Sequence, residues 1–299
     1  MDAHYFTVLL NSTIRSTTPV LLAALGSAIC NKVGVFNIAL EGQMLIGAFA
    51  AIALNFYTAN VFLSILAGII AGALVGLLVA IVQVKYKSAD MVVGTSVNLL
   101  VGGLTSILLY VIMGKRGSYS SPDLVGLKKI NIPFIKDIPY LGRILENLSI
   151  IDYLAYVIAI VIFIYLYKTV GGFKMLSIGE NKEAAESLGV KSTHKQMLMV
   201  VISGALCGLG GVALAMGQVT LFTEGMTAGR GFIGMAAGSM ARNHPLGTIA
   251  SSLFFGLAQA LGISLQNTIP SQLTITIPYI ATIIALAIFS KKDRQKING

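Results

Sequence analysis

"VGVFNIALEGQMLIGAFAAIAL", residues 33–54, is as apolar as a membrane span, yet Asn37, Glu41 and Gln43 lie inside it. An acidic side chain at the centre of a membrane helix costs roughly 2.5–3.5 kcal/mol on insertion scales. Asn37 and Glu41 are four residues apart, so a helix would place them on one face, with Gly34 and Ala48 extending it. Two roles fit. The pair lines a path or a gate, or Glu41 is structural and its carboxylate is held by backbone N–H groups or a partner helix.

The rest of the chain fixes the solvent. Of 299 residues, 56% are hydrophobic and 11% charged, against about 25% charged in a soluble domain. Apolar runs of about 20 residues recur, each long enough to cross about 30 Å of hydrocarbon. The fold class is therefore all-α, a polytopic transmembrane helical bundle. Alternating segments of about ten residues, the mark of a membrane barrel, are absent. Cys30 and Cys207 lie in apolar runs without metal-ligand spacing and read as small core residues. The net charge of +9 belongs to the flanks of the spans rather than to a nucleic acid polymer as partner. Asp2, His4 and Arg15 interrupt the N-terminus, which does not read as a cleaved signal peptide.

About nine hydrophobic segments, within a range of 8–10, stand out: 8–30, 34–56, 61–84, 91–113, 150–168, 195–221, 229–241, 246–265 and 273–290. The first reads as an interfacial helix followed by a short span, and 229–241 is too short to cross alone. Residues 1–299 form one membrane domain with three notable polar parts. These are an extracytoplasmic connection at 114–149, a cytoplasmic connection at 169–194 and a cytoplasmic tail at 291–299. This orientation places 13 of the 21 Lys and Arg residues inside and eight outside, as the positive-inside rule favours. The outer connection, with Pro122, Pro133 and Pro139, is expected to form a structured cap despite its basic content. Gly68, Gly72 and Gly76 repeat every fourth residue, as do Gly204 and Gly208, then Ala213 and Gly217, the grammar of close helix packing. A match between 34–56 and 229–241 would be an inverted repeat, common in transporters.

Two further groups of residues carry information. In "GTSVNLLVGG", 94–103, Gly94, Asn98 and Gly102 share a face, with Thr95 and Ser106 beside it. Such a face is either a helix contact or the wall of a wet path; interhelical polar bonds average only about 0.6 kcal/mol. Gln218, Gln259 and Gln266 are similar candidates. In "SIGENKEAAESLGVKSTHKQM", 177–197, Ser177 with Glu180 reads as a capping box, Gly189 as a helix stop, and Thr193 with Gln196 as a second box. The spacing predicts a short, charged, capped helix of about ten residues between two spans, suited to docking. No phosphate-binding loop, Ser-His-Asp group or H-E-x-x-H motif occurs, and His4, His194 and His244 have no ligand spacing, so neither catalytic residues nor a metal site is expected.

Three blocks then resemble one family. "GVFNIALEGQMLIGAF", 34–49, resembles a G-[IV]-x-N-[IL]-[AG]-x-E-G-x-M-x-x-G-A segment of ABC importer permeases for simple sugars and nucleosides. "IGENKEAAESLGVK", 178–191, is similar to that family's cytoplasmic coupling loop, and "GRGFIGMAAGSMARNHPLGTIASSLFFG", 229–256, to its C-terminal block, with His244 standing between the usual Asn and Pro. The chain looks most like the smaller of two paired permeases of bacterial nucleoside importers. The resemblance implies a multi-pass cell-membrane subunit that is not itself an enzyme. Its implied partners are a second, different permease, a cytoplasmic ATPase holding ATP and Mg, an extracytoplasmic substrate-binding lipoprotein and membrane lipid. It places Gly179, Asn181, Ala184, Ala185 and Gly189 in the coupling helix, with Lys182 and Glu183 as exposed contacts. Asn37, Glu41, Thr95, Asn98, Gln218 and Gln259 are then candidates for the path or gate. No span carries a central Lys or Arg, which suits a neutral solute, a nucleoside first. A sugar or branched-chain amino acid permease is the alternative, followed by an ion-coupled transporter using Glu41 and, last, a membrane scaffold or insertase.

Overall fold

The N-terminal sequence departs from the expected pair of elements by forming one continuous helix. In the computed structural model, which describes residues 3–130 and 141–266, α1 runs over Ala3–Asn31 with Pro19 inside it. Proline lacks the N–H that would bond the carbonyl four residues earlier. Here that carbonyl, Arg15 O, accepts from Gln218 Nε2 at 2.8 Å instead. The helix therefore continues through the proline, and its apolar window is 89% buried.

The remaining long helices are α2 (Leu40–Thr58), α3 (Val61–Ala80, continued by a π turn at Ile81–Lys85) and α4 (Asp90–Met113). After the short α5 (Leu141–Leu145) come α6 (Ile150–Lys168), α7 (Val170–Glu180) and α8 (Lys182–Ser187). The chain then forms α9 (Ser192–Val212, with a π continuation at Ala213–Val219), α10 (Arg230–Met240) and α11 (Pro245–Leu265). Seven of the described helical spans are long and apolar enough to cross a membrane, and α10 is not. The expected span at 273–290, the tail at 291–299, Pro133 and Pro139 lie outside the described residues.

Sequence chemistry explains the boundaries. Asn60 caps α3 by accepting from the N–H groups of Phe62 and Leu63. Ser149 and Asp152 form a reciprocal capping box at the start of α6, and Thr18 of α1 donates to the same aspartate at 2.6 Å. Gly114, at φ +65°, ends α4.

Helices α1, α2 and α9 form the buried centre, whereas α3, α4 and α6 are only 28% buried in their apolar windows. The glycine repeats bring α3 and α9 into backbone contact. A Cβ on Gly72 would overlap Gly204 O, one on Gly204 would overlap Gly72 O, and one on Gly208 would overlap Gly68 O. Gly47 of α2 meets Gly208 in the same way. Helices without a hydrophobic drive between them associate by this close packing.

The end of the bundle opposite 169–194 is closed by a cap. Strand β1 (Ser118–Tyr119) pairs antiparallel with β4 (Phe222–Thr223), and β2 (Lys129–Ile130) with β3 (Leu148–Ser149). Asn55, near the end of α2, grips Val125 through both its N–H and its carbonyl, at 2.9 and 3.0 Å. Leu127 N donates to Met216 O at 3.0 Å, in the π continuation of α9.

Candidate functional site

Only the later part of residues 33–54 is helical; 33–39 are not. After α1 the chain turns at 32–34, with Gly34 at φ +72°, and residues 35–38 have no regular structure before α2 starts at Leu40. Asn37 therefore does not share a helix face with Glu41. Its Oδ1 accepts from Ala39 N at 3.0 Å. Its Nδ2 donates to Gln43 Oε1 and to Ser203 Oγ of α9, both at 3.2 Å.

Non-helical backbone persists at membrane depth only where its polar groups find partners inside the protein. Three carboxamides from three helices supply them. Gln196 of α9 donates to Val33 O at 2.9 Å, Gln83 of the α3 π turn to Phe36 O at 2.8 Å, and Asn98 of α4 to Ile38 O at 3.1 Å. Asn98 also accepts from Gly42 N at 2.8 Å, one of the N–H groups that the start of α2 leaves without an intrahelical partner.

Glu41 sits in the first turn of α2, and its carboxylate faces the start of α10. Oε1 accepts from Gly229 N at 2.8 Å and Oε2 from Gly231 N at 2.7 Å. Each helix N-terminus carries the equivalent of about +0.5 charge, so one carboxylate suits two of them. Gly231 is required for this approach, since a Cβ there would lie 2.6 Å from Glu41 Cα. From this junction α2 runs toward the cap, where Asn55 holds Val125. Helix α10 runs the other way, ending where Asn31 Nδ2 donates to Asn243 Oδ1 at 3.1 Å. Its 11 residues span roughly 16 Å at 1.5 Å per residue, about half the thickness of a 30 Å core, so the junction lies part-way along the bundle. Both elements start there and diverge, whereas 34–56 and 229–241 were expected to start at opposite faces.

The other path candidates fall in different places. Thr95 is exposed on α4, its hydroxyl bonded back to Met91 O at 2.7 Å. Gln218 serves the carbonyl left open by Pro19, on α1. Gln259 is buried in α11, and its Oε1 has no hydrogen-bond partner among the described residues; the same holds for Gln43 Nε2 beside Asn37. Arg15 falls inside the continuous α1, and its guanidinium donates to Gly217 O at 3.4 Å near the cap.

The polar loop at 169–194 also differs in detail from its expected caps. Ser177 lies within α7 and bonds Lys174 O; Asn181 is the cap of α8, accepting from Ala184 N at 3.0 Å. Helix α8 has six residues, not about ten. Gly189, at φ +78°, closes it, with Gly189 N bonded to Glu186 O and Val190 N to Ala185 O, the two bonds of a Schellman stop. The Thr193–Gln196 box does not form, because Gln196 is engaged with Val33. Ala185 is buried, Asn181, Glu183 and Ala184 are exposed, and Lys182 turns inward to donate to Gln196 Oε1 at 3.1 Å. Gly179 abuts Lys32 so closely that a Cβ would overlap Lys32 O. Leu188, beside α8, is 84% exposed, a large apolar side chain at the surface that sequence patterning does not single out. Its only signal was an isolated leucine after a polar helix. The His244 departure is accommodated as the cap of α11, with Pro245 in the first turn.

Residues 9–289 match the protein family described as "Branched-chain amino acid transport system / permease component". The chain belongs to this permease family. Among relatives, the permease is 34% identical to the guanosine ABC transporter permease protein NupQ of Bacillus subtilis, over 98% of this chain and 95% of that protein. It is 34% identical to the nucleoside ABC transporter permease protein NupC of Lactococcus lactis, over 92% and 90%. A putative glucose ABC transporter permease of Haloferax volcanii, TsgC13, is 29% identical over 87% and 78%. A second permease of each bacterial transporter also matches the permease, NupP at 24% and NupB at 26% identity. Among solved structures, PsaBC from Streptococcus pneumoniae in complex with Fab has a similar fold, with a TM-score of 0.53 at 16% identity, covering 97% and 94% of the two chains. The permease is thus a multi-pass transport subunit of the cell membrane, not an enzyme.

Proposed function

We propose that this permease is the smaller membrane subunit of an ATP-driven importer that carries nucleosides. The single observation that carries the reading is 34% identity, over nearly the whole length, to both a guanosine and a nucleoside permease. The buried cluster of Asn37, Gln43 and Ser203, with the Cys30 thiol beside it, is polar and carries no charged side chain, which suits a neutral, hydrogen-bonding solute. Sugar transport is the second reading, favoured by the relative at 29% identity. An ion-coupled mechanism through Glu41 is disfavoured, since both carboxylate oxygens are occupied by backbone N–H groups.

On this reading the 169–194 end is cytoplasmic and α8 docks on an ATPase that holds ATP and Mg. Glu183, Ala184 and Leu188 form the docking face, all exposed. The cap faces outward, toward a substrate-binding lipoprotein. The second permease is a different chain, as the NupQ–NupP and NupC–NupB names support. ATP-driven closure would shift α7 and α8 as a rigid body against the turn at 32–34 and change the tilt between α2 and α10.

Gentle co-purification of the tagged chain from its native membrane tests this assembly. The expected result is a phosphate-loop ATPase and a second, different permease. Recovery of copies of this chain alone would contradict it.

A further inference from the structure

We propose that Gln196 is a positioning residue that transmits the position of α8 to the broken connection between α1 and α2. The link runs from Lys182 through the Gln196 carboxamide to the Val33 carbonyl. This inference rests on the reading of 169–194 as the coupling loop.

Three observations carry it. First, Gln196 is 6% exposed and both ends of its carboxamide are used: Oε1 accepts from Lys182 Nζ at 3.1 Å and Nε2 donates to Val33 O at 2.9 Å. Flipping the amide would set oxygen against oxygen and N–H against ammonium, so the two bonds stand or fall together. Second, Lys182 is the first residue of α8 and follows its cap, Asn181, so its position tracks the helix. Gln83 and Asn98 hold the Phe36 and Ile38 carbonyls from α3 and α4; of the three amides, Gln196 is the one that also bonds a residue of α8. Third, a cavity of about 290 Å³ lies against the link, bounded by Gly34, Gln83, Lys87, Asp90, Lys182 and Gln196. The link therefore has space beside it, while Gly179 and Lys32 press backbone to backbone next to it.

Downstream, Asn37 joins the same segment to Gln43 and Ser203, and Glu41 joins α2 to α10. A displaced Lys182 shifts Val33, and the shift reaches the junction of α2 and α10 through backbone that has no helical stiffness of its own. Gln196 acts through other groups and need not touch solute.

The test uses the whole importer complex in ATP-loaded proteoliposomes and reads solute moved per ATP hydrolysed. Gln196→Leu and Lys182→Met should each lower that ratio about fivefold, the effect of one hydrogen bond, while assembly and ATP hydrolysis persist. The double variant should be no worse than either single one, because both break one link. Gln196→Glu keeps a partner for Lys182 but cannot donate to Val33 O, and should also lower the ratio. An unchanged ratio in Lys182→Met, or losses that multiply in the double variant, overturns the link. If Gln196→Leu fails to assemble, Lys182→Met decides, since Lys182 lies at the half-exposed rim. A separate variant, Glu183→Arg with Ala184→Trp, tests the coupling loop itself. If it changes nothing, the coupling reading fails; if it uncouples transport while Lys182→Met does not, only the Gln196 link fails.

Discussion

A carboxylate in an apolar stretch needs donors, and Glu41 finds two in the Gly229 and Gly231 N–H groups. Glu41→Gln keeps one acceptor oxygen and turns an NH₂ toward the other N–H. The loss is about 1–3 kcal/mol, the cost of an unsatisfied buried donor. The expected outcome is a lower thermal midpoint of the purified complex and reduced uptake; an unchanged midpoint would show that α10 does not depend on Glu41. Gly231→Ala should be worse, because its methyl would collide with Glu41 backbone rather than with a flexible side chain. The sequence made Glu41 visible as an anomaly and left its two roles open. It could not show Asn37 off the helix, because i, i+4 spacing looks the same whether or not the backbone between is wound. Gln196 was hidden for a related reason. A local box with Thr193 satisfied the pattern, and a carbonyl 163 positions away won the side chain.

At the scale of elements, α1 shows how a proline survives inside a buried span. Pro19 leaves Arg15 O without its helical donor, and Gln218 replaces it. Gln218→Leu should destabilise the protein by about 1–3 kcal/mol. Adding Pro19→Ala, which restores the N–H, should recover part of that loss in thermal unfolding. Losses that simply add would show that Gln218 acts elsewhere. Packing of α3 on α9 makes a second demand. Gly204→Leu should prevent a stable fold or cost well over the usual 1–3 kcal/mol of overpacking, since backbone lies where the side chain must go. Wild-type expression and melting would contradict that packing. Among the described residues, most spans were legible to within a few residues because hydropathy is a property of composition; the exceptions are the single α1, read as two elements, and α2, which starts only at Leu40. The Gly189 stop was legible too, but the start caps were not: Asn181 displaced Ser177 as the cap of α8, and the chain could not announce which polar residue would face the helix start.

The whole molecule is a buried core of α1, α2 and α9, with the starts of α2 and the short α10 meeting on one carboxylate. Half-helices that start inside the membrane and diverge are how transporters bring helix N-termini to the level of a solute. At one end the junction is tied through Gln196 to α8, and at the other Asn55 and Met216 tie α2 and α9 to the cap. The fold class was readable from sequence; the meeting point of α2 and α10 was not, because it depends on residues 188 and 190 positions apart. The most direct measurement is uptake of labelled guanosine into proteoliposomes holding the complete complex and its binding protein, with ATP on the α8 side. The account predicts ATP-dependent uptake that excess unlabelled adenosine suppresses and glucose or leucine does not. Uptake without ATP, or uptake of glucose or leucine in place of guanosine, would contradict it.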